Sequence, residues 1–61
     1  MKAIYWCYFT FQDSIAMAKS YSFETFKDGF WLTNTMDVAL TIEDAKYWIP
    51  PSKVNYVVRA I

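Results

Sequence analysis

The segment AIYWCYFTF, Ala3 to Phe11, carries no formal charge and one conventionally polar side chain, Thr10. Side chains alternate between the two faces of a strand. One face of this segment would hold Ala3, Tyr5, Cys7, Phe9 and Phe11, and the other Ile4, Trp6, Tyr8 and Thr10. Both faces are apolar, and a chain of 61 residues is too short to lay protein over each of them. A domain of this size buries only about 60% of its unfolded surface. Such scaffolds lean on disulfides, a metal or an oligomeric partner. A single cysteine, Cys7, excludes an internal disulfide. The absence of histidine removes the usual Cys/His zinc site as well. A tight core with self-association remains, so a homo-oligomer is expected.

The hydrophobic fraction is 56%, with one glycine in the chain. Average globular usage is about 45–50% even with glycine counted. Trp, Tyr and Phe make up 21% of the residues. Each large ring buries roughly 150–250 Å², so a core this small cannot take them all. Some must lie on a surface, where aromatic patches mark interfaces and binding sites. The net charge is zero, with the cations spread along the chain. That balance argues against a duplex-DNA binder, whose affinity comes chiefly from phosphate contacts. No apolar run approaches the ~20 residues of a membrane span. No signal peptide is visible, so the expected setting is the cytoplasm, which also suits a lone thiol.

Along the chain, Ile15, Met17, Lys19, Tyr21 and Phe23 alternate with Ala16, Ala18, Ser20 and Ser22. This period of two predicts a strand. A helix over 14–20 behind an Asp13 N-cap is the alternative. Asp28-Gly29 between apolar runs predicts a hairpin returning as Phe30 to Asn34. Met36, Val38, Leu40 and Ile42 predict a further strand. Lys46 to Ile49 reads as a short strand after a turn at Glu43-Asp44-Ala45. Here too a helix, over 42–49 with Thr41 and Asp44 as an approximate capping box, is the alternative. Pro50-Pro51 ends whatever precedes it, Pro51-Ser52-Lys53 suits one 3₁₀ turn, and Val54 to Ile61 is rich in β-branched residues.

These elements predict one all-β domain over residues 1–61, a small curled antiparallel sheet or SH3-like barrel of five to six short strands. The tail ALTIEDAKYWIPPSKVNYVV is similar to the strand, 3₁₀ turn, strand ending of SH3-like barrels. The segment YWIPPSKVNYV, Tyr47 to Val57, resembles endings of small phage-encoded β-rich proteins, in which Trp-Ile-Pro closes a strand before Ser and a β-branched residue. The resemblance implies a viral source and, with it, the host cytoplasm. It brings no catalytic residue.

Catalysis is not expected. General acid–base work usually recruits histidine, and a nucleophilic thiol needs a neighbouring base. Cys7 sits among aromatics and reads as structural. Asp13, Glu43 and Asp44 fall at turns, where carboxylates are ordinarily solvated. No metal site or cofactor is expected.

Two binding surfaces are expected instead. The small-residue strip Ala16, Ala18, Ser20 and Ser22 could receive Ile4, Trp6 and Tyr8 from a second copy, or simply point to solvent or lie under another part of the same barrel. Trp31, Tyr47 and Tyr56, with Lys46, Lys53 and Arg59, could stack a base and neutralise phosphates. The first surface points to a phage-type inhibitor that docks on a host protein. The second points to an oligomer holding a small nucleotide, cyclic nucleotide or short single strand.

Overall fold

The computed structural model describes residues 3–60. Ile61, the expected end of the last strand, lies outside them. Among these residues five strands form: β1 (Tyr5–Phe11), β2 (Ser14–Ser20), β3 (Phe30–Leu32), β4 (Tyr47–Ile49) and β5 (Val54–Arg59). Single 3₁₀ turns stand at Phe23–Phe26, Ile42–Asp44 and Pro51–Lys53. A three-stranded sheet has the order β2-β1-β5, and a two-stranded sheet pairs β3 with β4. Every ladder is antiparallel. The protein is all-β with a curled sheet, and 14–20 is strand rather than helix. Among the described residues no helix is long and apolar enough to cross a membrane.

The β1–β2 hairpin turns on Gln12 and Asp13, with φ of 50° and 64°. Positive φ at both central residues is the type I′ turn, whose twist matches that of the flanking strands. The ladder then runs from Phe11↔Ser14 to Tyr5↔Ser20 without interruption. On its other side β1 meets β5, with a register shift between Tyr8 and Phe9. An irregularity of this kind bends the strand and increases local twist, which curls the sheet toward β3 and β4.

The core lies between the two sheets. Cys7 and Phe9 come from β1 and Ala18 from β2. Phe30, Leu32 and Ile49 come from β3 and β4, and Phe26 from the first 3₁₀ turn. Phe30 is the hub: its ring meets Phe9 edge-on at 5.2 Å and Phe26 at 5.0 Å. Such geometry sets the positive ring edge against the negative face of its neighbour.

Two expectations are corrected, and the helical alternative over 42–49 is set aside. Asp28-Gly29 joins no hairpin, because the residues before it, Phe23–Phe26, form a 3₁₀ turn that delivers Phe26 to the core. Gly29 instead takes φ +93° under the indole of Trp48. The expected strand from Met36 to Ile42 is reduced to an isolated Leu32↔Val38 bridge. There the Thr33 hydroxyl accepts from the backbone N–H of Thr35 and Asp37, and Met36 has φ 68°. Local bonds of this kind compete with a ladder for the backbone. The helical alternative over 42–49 shrinks to the turn at Ile42–Asp44, where the Thr41 hydroxyl donates to the Asp44 carboxylate at 3.0 Å. The C-terminal order of strand, 3₁₀ turn and strand stands as read.

Candidate functional site

The register of the three-stranded sheet decides which side chains share a surface. Cys7 lies opposite Ala18 and Phe9 opposite Ala16. The small-residue strip therefore faces inward, and the protein's own core fills it. Ala18 is 2% exposed, while Ser20 donates its hydroxyl to Thr25 at 3.0 Å. Ser22 lies beyond the strand and is exposed. Of the two readings of that strip, the one beneath the same barrel matches this geometry, so Trp6 and Tyr8 of another copy have no groove to enter there.

Ile4, Trp6 and Tyr8 are half-buried. Ile4 precedes β1, and its carbonyl accepts the Ala60 N–H at 2.7 Å. Trp6 and Tyr8 stand on the outer face of the sheet, in cross-strand rows. One row reads Lys19–Trp6–Val58 and the next Met17–Tyr8–Tyr56. A third brings Ile15 to Thr10, whose hydroxyl accepts from the Asn55 amide at 3.4 Å. Tyr8 and Tyr56 stack at 4.6 Å with an interplanar angle of 20°. Ile15 is 65%, Met17 48%, Tyr56 56% and Val58 42% exposed. Lys19 is the one charge among these rows, with its ammonium 5.9 Å from the Tyr21 ring. The second face of the opening segment is thus apolar, aromatic at its centre and open to solvent.

The residues suggested for a nucleotide do not converge. Trp31 pairs with Trp48 across β3–β4 at 5.1 Å. Tyr47 packs on Phe11 at 5.1 Å, and Tyr56 is taken by Tyr8 on the other sheet. Lys46 donates its backbone N–H to Leu32 and is exposed. Lys53 and Arg59 lie at opposite ends of β5, roughly 20 Å apart at 3.3 Å per residue. That is too far to share the phosphates of one nucleotide. Lys53 does line an open cleft of about 320 Å³ with Asp13, Trp48 and Pro50. One carboxylate and one ammonium make that cleft mixed in charge. Trp48, beside the Ile49-Pro50 corner, is 46% exposed. Its partner across β3–β4 is another tryptophan and its neighbour is a glycine, so no core residue draws it in.

Among the described residues no three of His, Cys, Asp and Glu gather as a ligand set. Cys7 is fully buried, and burial pushes its thiol from 9.0 up to about 11. The folded thiol keeps its proton across that interval while the unfolded thiol loses it. The unfolded state then binds fewer protons, so stability should fall as pH rises from about 9 to about 11. Urea titrations at stepped pH, compared with Cys7→Ala, check this: the variant should lack that component of the decline. Alkylation at pH 8 should likewise await unfolding. Compared with protein-family models, curated proteins and solved structures, the chain matches none of them.

Proposed function

We propose that the protein is a non-enzymatic binding module that self-associates and docks on a partner protein through the outer face of β2-β1-β5. One observation carries this reading: the face is continuous, apolar and exposed, with the stacked Tyr8 and Tyr56 at its centre. Contiguous apolar surface of this kind marks interaction sites, and tyrosine and tryptophan are enriched among the residues that dominate interface energetics. The resemblance of Tyr47 to Val57 to phage-encoded endings makes a host protein the favoured partner, and the host cytoplasm its setting. Inhibition by occlusion needs no catalytic residue.

The test is in-cell cross-linking followed by affinity purification, with wild type beside Tyr56→Lys/Val58→Lys. Both positions are exposed, so the variant should fold. Partner capture should drop about tenfold or more, the equivalent of some 1.4 kcal/mol of lost contact. Equal capture by both proteins would refute the assignment to this face. Native mass spectrometry should show protein only, and a nucleotide-sized adduct would move the reading to ligand sequestration.

A further inference from the structure

We propose that two copies of the chain pair antiparallel along the free edges of β2, about a two-fold axis at Met17, joining two three-stranded sheets into one of six strands. The inference rests on the self-association in the reading above and specifies how it is built.

The free edge is the first observation. β2 is the outer strand of its sheet, and its ladder with β1 has no bulge. The other outer strand, β5, carries a register shift. Strands β3 and β4 have 3 residues each. A two-residue turn makes Phe11 and Ser14 its hydrogen-bonded flanking pair. Bonded pairs then alternate, so Ser14, Ala16, Ala18 and Ser20 face β1 with their backbone groups. The N–H and C=O of Ile15, Met17 and Lys19 point away from it. Among the described residues no other backbone group bonds to these three. Natural sheets blunt such edges with proline, bulges or inward charges, and β2 offers Lys19 alone.

Symmetry and charge select the partner. An axis at Met17 sets Met17 against its own copy, Ile15 against Lys19 and Ala16 against Ala18. Every outward N–H and C=O of the three edge residues then gains a partner. Lys19 meets Ile15 rather than another Lys19, so no like charges face each other across the seam. An axis at Lys19 would instead oppose like charges. The chosen register also continues the outer face: the row Tyr56–Tyr8–Met17 meets its own copy at Met17. The docking face doubles in width without a break.

The experiment is sedimentation of the full chain from micromolar to millimolar concentration, with hydrogen exchange followed amide by amide. Wild type should dimerise, and exchange at Ile15, Met17 and Lys19 should slow in step. Met17→Pro removes an outward N–H that the monomer leaves unbonded, which an edge strand tolerates. It should keep the wild-type circular dichroism and stay monomeric. Met17→Cys should form an intermolecular disulfide, since bonded antiparallel partners have Cα atoms about 5.5 Å apart. Lys19→Cys alone should not. A wild-type monomer at every concentration would overturn the inference. So would a dimer whose edge amides exchange as fast as the monomer's, because stacked faces leave those amides open. A monomer would also remove the self-association in the reading above, a fast-exchanging dimer would leave it in place, and partner docking stands or falls separately on Tyr56→Lys/Val58→Lys.

Discussion

Phe9→Ala should abolish cooperative unfolding. Phe9 is fully buried in the central strand, and its ring meets Phe30 of the opposing sheet at 5.2 Å and 89°. It is therefore a direct tie between the two layers, beside the Phe11–Tyr47 contact. Truncating a core phenylalanine costs about 3–5 kcal/mol. A chain of 61 residues has roughly 3–9 kcal/mol in total, at 0.05–0.15 kcal/mol per residue. The loss is comparable with the whole. Circular dichroism against temperature is the measurement, with Phe9→Leu as the milder step and Leu40→Ala as the contrast. Leu40 is 92% exposed, so its truncation should stay within about 0.5 kcal/mol of wild type. A Phe9→Ala protein that melts within a few degrees of wild type would mean that Phe9 does not hold the sheets together.

The second large effect is expected at Gly29. Its φ of +93° lies where L side chains are strained, and a Cβ there would sit 2.7 Å from the Ile49 carbonyl oxygen and 2.7 Å from the Trp48 ring. The indole can swing away, but the carbonyl is held in β4. Strain and clash together should cost about 2–4 kcal/mol. At about 4–8 °C per kcal/mol for small domains, that lowers Tm by roughly 8–32 °C. Adding Trp48→Ala to Gly29→Ala separates the two causes. It should restore less than half of the lost stability, since the backbone oxygen remains in place. Full rescue would show that the ring alone excludes a side chain.

Gly29 also shows how a strong local signal can be right about the residue and wrong about the structure. Asp28-Gly29 does need glycine for positive φ, as the dipeptide suggests. The segment before it, however, buries Phe26 through a 3₁₀ turn instead of running as a strand. The actual hairpin turns on Gln12-Asp13, where Asp13 reads as a turn residue but no glycine marks the type I′ geometry. Met36, Val38, Leu40 and Ile42 alternate cleanly, yet they sit in a loop whose Thr33 hydroxyl binds the backbone. Alternation states what a strand would bury. It does not supply a neighbouring strand to pair with.

The candidate surface was legible in part. Trp6 and Tyr8 were singled out from the sequence, whereas Ile15, Met17 and Val58 were not, because nothing local says which face of β2 or β5 turns outward. Large residues alternating with small ones suggest that the large ones go in. Here the small ones do, since Ala16 and Ala18 lie opposite the buried Phe9 and Cys7. The nucleotide set stays apart for a related reason: Trp31 lies on β3 and Tyr56 on β5 of the other sheet, while Lys53 closes a 3₁₀ turn and Lys46 stands before β4.

By itself the sequence determined the class of the protein. Period-two alternation, β-branched strand residues and the Pro50-Pro51 break act within a few residues of chain, so they specify strands and turns wherever these end up. One cysteine and no histidine exclude an internal disulfide and the usual Cys/His zinc site without reference to any fold. Only the tertiary structure decided which face of each strand is inside. When both faces are apolar, as in Ala3 to Phe11, the strand period favours neither. The choice falls to register, which sets alanine beside phenylalanine across a ladder, and to the second sheet, whose Phe30, Leu32 and Ile49 cover one face and leave the other open.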